Sequence, residues 1–151
     1  GYGLDFGFTN DPTTCIAVWE MDNKYYFDEV LYSTGLTNPD IVKLLKPIVM
    51  SETIYGDSAE PKSIVELNRG GLRVFSAVKG ADSIMYGINL IQQNHFYITE
   101  NSLNLIKEAR NYVWKVTKDG ATTNTPIDKY NHGWDAIRYF LTSKEKYDGT
   151  Y

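Results

Sequence analysis

The order in which its hydrophobic patterns follow one another constrains this chain most. Three extended runs come first, at residues 3–7, 13–21 and 25–33, the latter two rich in β-branched and aromatic side chains and joined by the turn-forming pair Asp22-Asn23. Short turns join antiparallel strands, so the opening reads as a three-strand antiparallel meander. Helical spacing begins only afterwards. Asn38-Pro39-Asp40 supplies a cap, a proline for the first helical position and a first-turn acid ahead of Ile41, Leu44, Leu45 and Ile48.

From there strand and helix alternate. A short strand at 53–56 ends at Asp57, and Pro61 opens a helix through Ile64, Val65 and Leu67 to the Gly70-Gly71 break. A strand at 72–77, a helix at 81–92, a strand at 95–98 and a helix at 101–113 follow. Residues 114–119 read as extended, 120–124 as a polar loop, and a last helix starts at about Pro126 or Asn131 and runs to Leu141. Meander first and alternation second predict an α/β fold with a mixed five-stranded sheet, three antiparallel strands then parallel ones, and helices on both faces. A chain of 151 residues that is 42% hydrophobic suits one globular domain.

Several classes of function drop out. No apolar run approaches the ~20 residues that cross a bilayer, and the zones of a signal peptide are missing, so a soluble, intracellular protein with no membrane contact is expected. Cys15 is the only cysteine, and with only His95 and His132 a zinc site of the usual spacing cannot be assembled. Any metal must be held by oxygen. The net charge of -4 argues mildly against a passive nucleic-acid binder. Acids that hold cations would themselves contribute to that charge, and the bound cations would cancel it where a phosphate sits. An opening Gly1-Tyr2 without Met reads as a piece of something longer.

Three carboxylates stand in contexts where an acid needs a reason. Asp5 lies in an otherwise apolar strand between Gly3 and Gly7, where an unpaired charge is costly and the glycines leave room for a bulky ligand. Asp57 follows a strand and precedes a helix, at the carboxyl end where open α/β sheets place ligands. If the fourth strand pairs beside the first, Asp5 and Asp57 become neighbours. Asp135 sits among Trp134, Ala136, Ile137, Tyr139 and Phe140, a stretch apolar enough to turn it toward the sheet. Three carboxylates within ~4 Å would repel by a few kcal/mol per pair at an effective dielectric of ~20. Two Mg²⁺ or Mn²⁺ ions would remove that repulsion and suit the hydrolysis of a phosphodiester. Asp11 reads as a turn or surface residue, and Asp128 as the first turn of a helix capped by Thr125.

These residues resemble a known family. The motifs Gly3-Leu4-Asp5-Phe6-Gly7 with Asp11-Pro12-Thr13, Gly56-Asp57-Ser58-Ala59-Glu60-Pro61-Lys62-Ser63-Ile64 and Asn131-His132-Gly133-Trp134-Asp135-Ala136-Ile137-Arg138-Tyr139 are similar, in order and over nearly the whole chain, to the C-terminal nuclease domain of the large terminase subunit of tailed bacteriophages. That resemblance implies an RNase H-like, two-metal-ion endonuclease cleaving double-stranded DNA during genome packaging, with Asp5, Asp57 and Asp135 as metal ligands. Lys79, with Gly80 and Ser83-Ile84, also resembles a family segment in which the lysine faces the DNA or the active site, though a solvated lysine at a helix start reads equally well. His132 lies three residues before Asp135, on roughly the same helix face, and either orients the site or is a packed histidine. Glu60 either reaches the site or serves the helix start. The resemblance further implies a packaging ATPase domain preceding this one, the portal and the small terminase subunit as partners, and action in the host cytoplasm. No G-x-x-x-x-G-K-[ST] phosphate loop occurs, so the chain itself is not expected to hydrolyse ATP.

Two other readings remain open at this level. Another RNase H-like nuclease, a junction resolvase or RNase H itself, would share fold and metals. An actin- or Hsp70-like nucleotide-binding fragment shares the glycine-flanked Asp5 motif, but lacks a second phosphate loop and an adenosine site.

Overall fold

The computed structural model describes residues 1–7 and 9–147. Its elements in chain order are β1 (Tyr2–Asp5), β2 (Thr13–Met21), β3 (Lys24–Ser33), α1 (Asn38–Val49), β4 (Thr53–Gly56), α2 (Pro61–Arg69), β5 (Arg73–Ser76), α3 (Ser83–Gln93), β6 (His95–Ile98), α4 (Leu103–Asn111), β7 (Trp114–Val116), β8 (Thr122–Pro126) and α5 (His132–Tyr147). Six strands form one mixed sheet in the order β5-β4-β1-β2-β3-β6. The meander is antiparallel, and β4, β5 and β6 add in parallel to β1, β4 and β3.

The sheet thus has one strand more than the five expected. The free edge of β3 accepts β6 because Tyr26 and Tyr97 stack at 5.2 Å, Lys24 lies over the Tyr97 ring, and the Thr99 N–H continues the pairing to the Phe27 carbonyl. Asp22 and Asn23 both adopt positive φ, as a tight hairpin between β2 and β3 requires.

Alternation along the central strands sends side chains to two layers. Leu4, Cys15, Ile54 and Val74 pack with Ile41, Leu45 and Val49 of α1 and with Ile64 and Leu67 of α2. Ile16, Val18, Phe27 and Tyr55 face the other way, onto Ile91 of α3, Leu105 of α4, and Ala136, Ile137, Phe140 and Leu141 of α5. Helices therefore cover both faces. The cap of α1 is Thr37, one residue before the expected start, because its hydroxyl and the Asp40 carboxylate close a reciprocal capping box.

Gly3 decides how close α5 comes. A Cβ there would lie 1.7 Å from the Ala136 carbonyl oxygen, so the helix backbone rests directly on β1. The space beside Gly7 is likewise taken by the backbone of Asp11 and Pro12. The two glycines admit protein backbone, not the bulky ligand expected from the sequence.

The segment before α5 also departs from expectation. Thr122 to Pro126 pair with residues of β7 in a two-stranded ribbon, and the Ile127 N–H still donates to the Val113 carbonyl. That pairing converts most of the expected polar loop into strand and holds Pro126 out of the helix. Asp128 then falls in the exposed loop between ribbon and α5, not in a first helical turn capped by Thr125. Among the described residues no helix is long and apolar enough to cross a membrane.

Candidate metal centre

Asp5 ends β1 and Asp57 follows β4, on adjacent parallel strands. Leu4 is in register with Gly56, and the Asp57 N–H donates to the Leu4 carbonyl at 3.1 Å, so the two carboxylates leave neighbouring strand ends. Continued alternation from Leu4, which faces α1, turns Asp5 toward α5. Asp135 arrives from the first turn of α5, held near the sheet by the contact at Gly3. The three acids therefore come from three separate stretches of the chain; the charges of Asp135 and Asp57 act on Asp5, and those of all three act on Tyr139.

Each carboxylate is turned to partners supplied by the protein. His132 Nδ1 lies 3.2 Å from Asp5 Oδ2. Asp57 pairs with the Lys79 ammonium, accepts the Tyr139 hydroxyl at 3.1 Å, and accepts the Ala59 N–H at 2.8 Å. Asp135 accepts from Arg138 Nη2 at 2.7 Å and from Asn131 Nδ2 at 3.3 Å. Lys79 and Arg138 both lie against the Tyr139 ring, at 4.9 and 4.7 Å from its centre.

The electrostatics follow from burial and these partners. Burial pushes Asp5 up to about 6; the hydrogen bond to His132 opposes this, and the charges of Asp135 and Asp57 add to it. The bond to Asp5 in turn raises His132. Burial also raises Asp135, against the pull of Arg138. Asp57 goes the other way, because Lys79 and the Ala59 amide outweigh its burial. Arg138 is buried, and the adjacent Asp135 more than restores the charge that burial disfavours.

These side chains fit a hard divalent cation. The donors are carboxylate oxygens with raised proton affinity at Asp5 and Asp135, the condition a cation relieves. Thr14, the register partner of Asp5, has a buried hydroxyl with no hydrogen-bond partner. As they stand, among the described residues no three His, Cys, Asp or Glu side chains converge tightly enough to enclose one ion. Each of the three carboxylates is paired instead with a basic side chain: Asp57 with Lys79, Asp135 with Arg138 and Asp5 with His132. Mg²⁺ needs few protein ligands and keeps several waters, so a site for it does not require three carboxylates on one ion.

Of the residues expected from sequence, His132 pairs with Asp5 and Lys79 with Asp57, and the charges of Asp5, Asp57 and Asp135 all act on Tyr139, so the five lie in one region. Glu60 does not join them; it precedes α2 and accepts from Ser63 at 3.5 Å, a helix-start contact. Asp128 touches only the edge, accepting from Asn131 at 3.5 Å. Asp11, read as a surface turn, is exposed but lies 3.8 Å from His132 Nε2. Arg138, Tyr139 and Asn131 lie within the third motif but carried no expected site role. Their signal was spacing: Arg138 and Tyr139 stand three and four after Asp135 on its helix face, and Asn131 stands four before it, just ahead of α5.

A family model described as "Terminase RNAseH like domain" matches residues 5–143. The large terminase subunit of Bacillus phage SPP1 is 31% identical over 157 residues, covering 97% of this chain and 36% of that protein, so the chain spans about a third of that relative. The nuclease domain of the SPP1 large terminase, solved with bound Mn, superposes with a TM-score of 0.83 at 28% identity over 96% of this chain and 84% of its own. The P22 large terminase nuclease domain shares the fold, with a TM-score of 0.77 at 14% identity, covering 95% of this chain and 80% of its own. These matches set aside the actin- or Hsp70-like reading. The chain belongs to the terminase RNase H-like domain family.

Proposed function

We propose that this chain is one nuclease domain of a phage large terminase and cuts double-stranded DNA during genome packaging, as a two-metal-ion endonuclease. Asp5, Asp57 and Asp135 would hold two Mg²⁺ or Mn²⁺ ions. The observation that supports this reading is that the charges of Asp5, Asp57 and Asp135, from the end of β1, the residue after β4 and the first turn of α5, all bear on one buried tyrosine, Tyr139. The SPP1 relative with bound Mn supports a divalent metal. When bound, such ions activate a water and stabilise charge developing on the phosphodiester oxygens.

The remaining work falls to the side chains around the acids. His132 orients Asp5 and can exchange a proton with its Oδ2. Tyr139 and the Ala59 amide hold the Asp57 carboxylate in place, and Arg138 and Asn131 do the same for Asp135. Lys79, a third exposed, is free to turn from Asp57 toward an arriving phosphate. The DNA, a preceding ATPase domain, the portal and the small terminase subunit would be the partners, in the host cytoplasm.

Substrate choice tests the finer reading. Purified protein with Mn²⁺ is expected to cut linear and supercoiled duplex DNA at rates at least equal to those on a four-way junction, and to leave RNA-DNA hybrids largely intact. Preference for the junction or the hybrid would point instead to a resolvase or an RNase H.

A further inference from the structure

The first turn of α5 is held from behind by a buried carboxylate outside the group of three acids. Glu108, on α4, is 1% exposed. Its Oε2 accepts the Gly133 N–H at 2.8 Å, its Oε1 accepts the Tyr32 hydroxyl at 2.9 Å, and the Trp134 N–H next along the helix also favours its ionised form. The opening amides of a helix have no partners within the helix and carry its positive end, so a carboxylate placed there satisfies both. The clasp joins residues 25 positions apart, on two different helices.

Its surroundings are built for it. A Cβ on Gly133 would lie 2.7 Å from Leu105 Cδ1 and 2.9 Å from Glu108 Oε2, so a larger residue there would have to push aside the two buried α4 side chains. Glu29 of β3, the strand that also carries Tyr32, fixes α4 in turn. It accepts the Leu105 N–H at 2.7 Å and the Asn104 side-chain amide at 2.7 Å. The turn held in this way carries His132 and Asp135, whose side chains meet Asp5 and Arg138.

We propose that Glu108 is a positioning residue of the metal centre: through Gly133 and Trp134 it sets the first turn of α5, so that His132 engages Asp5 and Asp135 faces the other two acids. This rests on the nuclease reading above. Partners that orient ligands from behind shift metal affinity by about 10- to 100-fold when removed.

The test is Mn²⁺ binding by calorimetry on the whole chain, with amide hydrogen exchange at Gly133 and Trp134. Glu108→Gln keeps the shape and relieves the burial of a charge, so it folds, but it has one acceptor oxygen where the carboxylate uses two, Oε2 for the Gly133 N–H and Oε1 for the Tyr32 hydroxyl. It is expected to weaken Mn²⁺ binding about tenfold and to speed exchange at Gly133 and Trp134. Thr37→Ala, which removes the cap of α1 on the opposite face, is expected to lower the melting temperature without changing Mn²⁺ affinity. The proposal is overturned if Glu108→Gln binds Mn²⁺ as tightly as the parent, or if Thr37→Ala weakens binding as much. Parent binding that Asp57→Ala abolishes and Glu108→Gln leaves unchanged overturns the positioning role alone. Parent binding indifferent to Asp57→Ala overturns the nuclease reading with it.

Discussion

His132 Nδ1 stands 3.2 Å from Asp5 Oδ2, joining the start of α5 to the end of β1 across 127 positions of sequence. The contact fixes the rotamer of the most buried of the three acids and offsets part of the cost of burying it. Replacing His132 with Ala is expected to lower metal-dependent DNA cleavage by about 10- to 100-fold, in the range seen for partners of metal ligands. The fold should survive, because the imidazole is partly exposed. Plasmid cleavage and a thermal melt on the same preparation check both halves.

Lys79 gives the opposite sign for metal binding. Its ammonium sits on an Asp57 oxygen that a metal would need, and its side chain is 33% exposed, so it competes weakly and can leave. Lys79→Met is expected to tighten Mn²⁺ binding by up to about fivefold, the equivalent of the ~1 kcal/mol that a partly exposed pair is worth. Cleavage should fall if the freed lysine serves the phosphate. Calorimetry beside a cleavage assay separates the two effects, and weaker binding in the variant would contradict the exchange.

The close approach at Gly3 makes a stability prediction. Gly3→Ala drives a Cβ into the Ala136 carbonyl, which belongs to a helix backbone and cannot swing aside. A loss of about 3 kcal/mol or more is expected, at the upper end of overpacking effects. Urea unfolding measures it, and a variant as stable as the parent would show that α5 can withdraw from β1.

Glu108 supplies a pH dependence. Burial raises its pKa above the usual 4.5, against the bonds from Tyr32 and Gly133 and the nearby charge of His132. The native state therefore takes up this proton more readily than the unfolded one. Its contribution makes the fold less stable as pH rises from about 4.5 through the raised value, and the full penalty applies above it. Glu108→Gln is expected to remove that slope, so the difference in stability between variant and parent should change across this window and flatten above it. Denaturant melts with EDTA at several pH values provide the comparison.

The chain order of strands and helices was legible because each element carries its own pattern. Asp5 and Asp57 stood out for the same local reason: each ends a short apolar strand, where a charge needs an explanation. Glu108 did not, since Lys107-Glu108-Ala109-Arg110 reads like any solvated helix turn. Its carboxylate becomes buried where the Gly133 amide and the Tyr32 hydroxyl close on it. Arg138 looked equally ordinary until Asp135 and Tyr139 closed around it. β7 falls within the extended run read at 114–119, whereas β8 escaped because Thr122-Thr123-Asn124-Thr125 offers no alternation of apolar side chains to detect. The edge position of β6 depends on which strand has a free side, a property of the assembled sheet.

The central claim is that Asp5, Asp57 and Asp135 work together on metal and DNA, and cleavage of supercoiled plasmid tests it most directly. Purified protein with Mn²⁺ or Mg²⁺ is predicted to nick and linearise the plasmid, EDTA to stop it, and Asp135→Ala protein prepared in the same way to be inactive. Cleavage that persists in EDTA or in Asp135→Ala would contradict the account, as would an inactive parent in which Mn²⁺ binding does not depend on the three carboxylates.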